Sequence, residues 1–171
     1  MPSFASSINR FRVPRFLVFS AIFLSVSLFA LAQIPIKYRL LNGYFINNDA
    51  PLNKGKTTLF VFDQADAFGE VFQSATGRKA DPVNFEKEVA VGIAIPPTRT
   101  PPRLSISRVF VQDSTLTIRY IRQADTTLAK QPLTFAAQPI LVVAIPKQTV
   151  LRTRLIENGR LVQTIKAKQE E

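Results

Sequence analysis

The sequence predicts a small, mainly β domain of the α+β kind, an antiparallel β-sandwich or curled sheet with one packed helix, after an N-terminal signal peptide. Three observations lead there. Apolar residues recur with a period of two across most of residues 38–167, the spacing that turns one face of a strand into a core. Asn158-Gly159 sits between two such runs, and this dipeptide is the strongest two-residue hairpin signal. One stretch alone, Asp63–Ser74, carries a convincing apolar stripe at helical spacing, through Ala65, Phe68 and Phe72.

The chain of 171 residues opens with Arg10, Arg12 and Arg15 and no acid before residue 16. Phe16 to Ala32 then runs seventeen residues without a charge and closes on Ala30-Leu31-Ala32. A basic segment, an apolar segment and a small-x-small site describe a secretory signal peptide cleaved after Ala32. The rival is a retained anchor, because a run of seventeen residues sits at the low end of what spans a bilayer. No Cys follows, so lipidation at a lipobox is excluded. Cleavage leaves residues 33–171 as one domain with nineteen basic and twelve acidic side chains, a net of +7. Export without any cysteine fits a bacterial periplasm or extracellular space better than a eukaryotic secretory product.

The elements follow in order. Tyr38–Ile46 is an apolar opening broken at Asn42-Gly43, and Thr57–Phe62 is a short strand of β-branched and aromatic residues. Asp63 is the expected N-cap of the helix, with Asp66 acidic in its first turn, and the helix should stop before Gly77 and the basic pair Arg78-Lys79. Val89–Ile95 places Val89, Val91, Ile93 and Ile95 on one face and Ala90, Gly92 and Ala94 on the other. A face that small predicts another element lying close on top, and the Phe68/Phe72 helix is the candidate. Leu104–Val111 and Thr115–Ile121 flank Gln112-Asp113-Ser114 as a hairpin, and Pro139–Ile145, apolar on both faces, reads as a central strand. Around Asn158-Gly159, Val150–Glu157 and Arg160–Ala167 should pair with Glu157 opposite Arg160, Ile156 opposite Leu161, Leu155 opposite Val162, Arg154 opposite Gln163 and Thr153 opposite Thr164. Residues 166–171 should fray.

Composition removes much chemistry. The chain has no Cys and no His, so thiol nucleophiles, thiolate metal sites, Ser-His-Asp machinery and imidazole-bound zinc or haem are all excluded. No calcium-loop pattern and no Ser-x-x-Lys occurs, so no catalytic residue, metal or cofactor is expected. Glu86 and Glu88 would share a strand face as a carboxylate pair, yet Lys87 between them marks an ordinary solvated strand entrance.

Residues 83–147 carry a resemblance. Val83-Asn84-Phe85-Glu86-Lys87-Glu88-Val89-Ala90-Val91-Gly92-Ile93 is similar to the V-D-F-x-K-x-V-V-V-x-V pattern of the PrcB C-terminal-like family. Ser105-Ile106-Ser107-Arg108-Val109, Thr117-Ile118-Arg119-Tyr120 and Gln138-Pro139-Ile140-Leu141-Val142-Val143-Ala144-Ile145-Pro146-Lys147 continue it. That family is named for an accessory subunit of a secreted bacterial protease complex. The resemblance implies a noncatalytic, protein-binding role at the cell envelope, with another exported protein, a protease among the candidates, as partner. Where the family carries Gly-Gly-Tyr before the Ser-Ile strand, this chain reads Pro96-Pro97-Thr98-Arg99-Thr100-Pro101-Pro102-Arg103.

That proline-rich loop is the candidate interaction element, through Pro97, Arg99, Pro101, Pro102 and Arg103. Its prolines favour an extended chain with little entropy to lose on docking, although a stiff connector has the same composition. The basic balance offers an alternative partner, an anionic envelope lipid or glycan, with Arg152, Arg154 and Gln163 on one face of the last hairpin and Arg119 and Arg122 nearby in sequence. Nucleic acid is not expected, because Tyr120 is the lone aromatic in that region and export takes the chain away from it.

Overall fold

The computed structural model describes residues 33–77 and 79–167. The expected signal peptide at 1–32, Arg78 of the basic pair and the terminal residues 168–171 lie outside the described residues. Strands β1 to β4 cover Ile34–Pro35, Arg39–Leu41, Tyr44–Ile46 and Thr58–Phe62. Helix α1 (Ala65–Val71) leads straight into β5 (Phe72–Ser74). β6 (Glu88–Ala94), β7 (Arg103–Gln112) and β8 (Thr115–Gln123) precede a short helix, α2 (Thr126–Lys130). β9 (Ile140–Pro146), β10 (Arg152–Glu157) and β11 (Arg160–Lys166) complete the chain.

These strands build the expected mainly β, α+β sandwich. A five-stranded sheet runs β1-β7-β8-β10-β11, a four-stranded sheet runs β2-β9-β6-β4, and β3 pairs with β5 as a ribbon. Every pair is antiparallel except β8–β10, which is parallel because the chain crosses to β9 in the other sheet before returning. Pro139–Ile145 was expected to be central, and β9 is indeed an inner strand.

Two apolar layers hold the sheets. Between them lie Leu59, Val91, Ile93, Val109, Ile118, Val143, Ile145 and Leu155. The other face of the four-stranded sheet packs Phe60, Phe62, Ala90, Ala94, Val142 and Ala144 against Phe68, Val71 and Phe72. The division of β6 into a large face and a small face is therefore real, and its cause is visible. A Cβ on Gly92 would stand 2.4 Å from Cε2 and Cζ of Phe72. Phe72 in turn meets Phe60 and Phe62 edge-on and lies tilted against Phe68, at ring separations of 5.9, 6.0 and 5.5 Å, within the range where aromatic pairs attract.

The helix departs from expectation. Asp63 is not its cap: Gln64 occupies the N-cap position in extended backbone and makes no side-chain cap hydrogen bond. Ala65 is exposed and Val71 is buried in its place. The helix ends at Val71 because Phe72–Ser74 gives its backbone to β3, pairing Ile46 with Phe72 and Tyr44 with Ser74. Tertiary pairing overrides the helical spacing that Phe72 shares with Phe68.

The hairpin of β10 and β11 also departs from a simple register. Asn158 (φ 47°) and Gly159 (φ 85°) turn the chain as expected, and Glu157 faces Arg160 and Ile156 faces Leu161. A bulge then intervenes, so Leu155 faces Gln163, Arg154 faces Thr164 and Thr153 faces Ile165. The extra residue turns Ile165 into the core and sends Thr164 and Lys166 outward, which strict alternation would have reversed. It also moves Gln163 off the face of Arg152 and Arg154. Gln163 Oε1 instead accepts from Leu59 N at 2.9 Å, tying the edges of the two sheets together.

Helix α2 was not anticipated. Asp125 caps it, accepting from Thr127 N at 2.9 Å and Leu128 N at 3.3 Å, and its other oxygen meets Arg103 Nε at 2.9 Å. The Arg103 guanidinium, then the Leu128 and Thr127 amides, hold this carboxyl below its ordinary value of 3.8. A depressed folded value means the clasp is fully present above that ordinary value and is lost as pH falls. Protection of the Thr127 and Leu128 amides, taken relative to the intrinsic exchange rate at each pH, should fall below about pH 4, and Asp125→Ala should bring the same loss of protection at neutral pH.

Candidate functional site

On β8, Leu116, Ile118 and Tyr120 point into the core, so Thr117 and Arg119 point to the outer face of the five-stranded sheet. Register extends that face to both sides. Arg108 lies opposite Arg119 and Phe110 opposite Thr117. Through the parallel pairing, Arg154 adjoins Thr117 and Arg152 adjoins Thr115, and Lys166 lies opposite Arg152. Arg108, Arg119, Arg152, Arg154 and Lys166 are all exposed. No strand residue sharing this face carries a carboxylate, and none of these five cations forms an ion pair among the described residues.

The face has a built centre. Phe110 is on the outer side of the sheet yet only 3% exposed. The guanidinium carbons of Arg108 and Arg119 lie 5.2 and 5.4 Å from its ring centroid, a distance at which a cation is attracted to the ring quadrupole. Two arginines are thereby held side by side on adjacent strands, despite their mutual repulsion. At ordinary strand and residue spacings the five cations occupy an area about 14 Å on a side. Capping of the ring leaves charge and hydroxyls, with no open aromatic platform for stacking. Ile121 (45% exposed) and Leu161 (62% exposed) supply apolar surface on the same side.

The proline-rich segment is a crossover between β6 of one sheet and β7 of the other, not a free loop. Thr98 exchanges backbone hydrogen bonds with Ala137 at 2.9 and 3.0 Å, and Arg99 O accepts from Leu133 N at 2.8 Å. Pro97 and Arg99 are exposed, Pro101 and Pro102 are half-buried, and Arg103 begins β7 in its pair with Asp125. The five residues lie along one segment, but only Pro97 and Arg99 offer themselves freely to a partner.

The carboxylates are committed elsewhere. Glu86 lies in a turn ahead of β6, so it does not share a strand face with Glu88. Glu88 pairs with Arg39 at 3.0 Å and accepts from Asn84 N at 3.0 Å, a structural role. Glu157 lies opposite Arg160 but makes its ion pair with Arg122 at 3.7 Å and accepts the hydroxyl of Tyr120. No group of three or more acidic, histidine or cysteine residues that could hold a metal occurs among the described residues.

Burial, then the hydrogen bond to Glu157, pushes the Tyr120 hydroxyl well above its ordinary value of 10.0. Burial, then the nearby Asp81 carboxylate, likewise raises Tyr44. A raised folded value gives stability that is fully present below pH 10 and is lost as pH rises past it. The melting temperature should therefore fall steeply above about pH 10, and Tyr120→Phe should flatten that fall while lowering stability at neutral pH by about 1–2 kcal/mol. Thermal melts across the alkaline range check both.

Arg108 and Phe110 were not singled out as functional residues from the sequence. Their signal was present in the alternation of Arg108 with Phe110, but the face assembles only once the parallel β8–β10 register is known. No family model matches the chain, and neither a curated protein nor a solved structure matches it.

Proposed function

We propose that this chain is an exported, noncatalytic binding domain of the bacterial cell envelope that docks through the outer face of its five-stranded sheet onto anionic phospholipid headgroups. The observation that carries the reading is the arrangement of Arg108, Arg119, Arg152, Arg154 and Lys166 on one sheet face without a strand carboxylate. Each cation near an anionic headgroup layer contributes about 1 kcal/mol, so five suffice for reversible association. The capped ring of Phe110 favours headgroups over a glycan or single-stranded nucleic acid, which use open aromatic faces. Exposed Leu161 and Ile121 fit the apolar boundary beneath the headgroups.

Sedimentation with vesicles of phosphatidylglycerol and phosphatidylethanolamine tests this. Binding should appear with the anionic lipid, be absent from neutral vesicles, and fall as salt shortens the screening length from about 10 Å at 0.1 M to about 3 Å at 1 M. Equal binding to neutral vesicles, or none to either, overturns it.

A second reading keeps the accessory role implied by the resemblance to the PrcB C-terminal-like family, with another exported protein as partner. The braced crossover, which presents Pro97 and Arg99 from a rigid backbone, favours it. A partner recovered from envelope extract and lost on Pro101→Gly/Pro102→Gly would support that role.

A further inference from the structure

A second cationic feature lies away from the outer face, at the end of the sandwich where the β10–β11 turn approaches the start of β4. Lys56, Arg122, Arg160, Glu157, Asn158 and Gly55 line a cleft of about 850 Å³ there. It holds three cations and one carboxylate, a surplus of two positive charges. The single carboxylate is already engaged, since Glu157 accepts the Tyr120 hydroxyl and pairs with Arg122 at 3.7 Å. Lys56 and Arg160 have no carboxylate within ion-pair distance among the described residues.

The cleft is braced from the core. Tyr120 is 1% exposed, and its hydroxyl fixes Glu157. Asn158 clips the backbone of Arg122 from both sides, accepting from its N–H at 3.1 Å and donating to its carbonyl at 3.0 Å. Asn158 N in turn donates to Tyr120 O at 3.1 Å. Arg122 is thus held by its backbone and paired with Glu157, and it lines the cleft together with Lys56 and Arg160. Guanidinium forks and a lysine point charge are the groups that recognise phosphate. The space falls within the range of small-ligand sites, about 300–1,000 Å³.

We infer that this cleft binds a phosphate dianion, carried by a small phosphate monoester or by free phosphate. The positive surplus matches the charge of the ligand, and the backbone clamp on Arg122 fixes the position from which its guanidinium reaches the cleft.

The test is a titration of the purified protein followed by amide NMR, at constant ionic strength and about pH 8, where a phosphate monoester and inorganic phosphate are both mainly dianions. Inorganic phosphate and glycerol 3-phosphate are added in separate arms, with chloride as the control. The amides of Gly55, Lys56, Asn158, Gly159 and Arg160 should shift and saturate with phosphate and not with chloride. Tighter binding of the monoester assigns an organic phosphate, and equal binding assigns the free ion. Lys56→Gln and Arg160→Gln, whose side chains make no hydrogen bond among the described residues, should each weaken binding roughly tenfold. Shifts that never saturate, a response shared by chloride, or unchanged affinity in both variants would overturn the inference. Arg152→Gln/Arg154→Gln/Lys166→Gln should leave phosphate binding intact, so failure of the lipid reading and failure of this one are separable.

Discussion

Gly92→Val is expected to be strongly destabilising. The first added carbon would overlap the ring of Phe72 at 2.4 Å. Neither side can yield easily. β6 is an inner strand, bonded to β4 and β9 along its length, and Phe72 is 1% exposed among Phe60, Phe62 and Phe68. Overpacking of this kind costs about 1–3 kcal/mol, and more where neither side can move, a large part of the ~5–15 kcal/mol that holds a domain folded. Phe72→Ala should cost about 3–5 kcal/mol by the opposite route, leaving a cavity against the small face. The two defects are complementary, so Gly92→Ala should be far better tolerated beside Phe72→Ala than alone. Urea unfolding of the single and double variants measures the coupling; additive costs would show that the ring and the strand do not meet.

The second large effect is on binding. Arg152→Gln/Arg154→Gln/Lys166→Gln should weaken association with anionic vesicles by about a hundredfold, since three cations contribute roughly 3 kcal/mol. The melting temperature should hold, because these side chains make no ion pair within the described residues and surface substitutions of this sort stay within about 0.5 kcal/mol. Arg108→Gln/Arg119→Gln should weaken binding by about thirtyfold, with some loss of stability as the Phe110 ring loses its two cations. Tm and vesicle affinity measured on the same preparations separate the two contributions. Unchanged affinity in the triple variant would remove the outer face from the account.

The fold was legible wherever local chemistry decided it. Alternation on β6 announced both its large face and the close approach of Phe72, because only a small residue admits a ring so near the backbone. Asn158-Gly159 announced its turn because both positions need positive φ. Legibility ended where distant segments compete. Phe72 sits at helical spacing from Phe68, yet pairing with Ile46 draws it into a strand. The bulge beside Leu155 depends on burying Ile165 and on the reach of Gln163 to Leu59, more than a hundred residues away in sequence. The cationic face is of the same kind: its residues come from four strands, and the parallel β8–β10 step that joins them has no local signature.

Sheet edges bear on what the domain binds. β1 has two residues and contains Pro35, and β2 has three and begins with Arg39. β11 is bulged, and Leu59 N on the edge strand β4 is occupied by Gln163. Short, charged, bulged or plugged edges discourage strand addition at β1, β2, β4 and β11.

Capture of native envelope material on the purified protein, at low and then high salt, with lipids and proteins both identified, decides between a lipid and a protein partner. Anionic phospholipid should be retained at low salt and released as salt rises. A single protein retained through high salt, without lipid, would contradict the lipid reading and leave the braced proline crossover as the binding element.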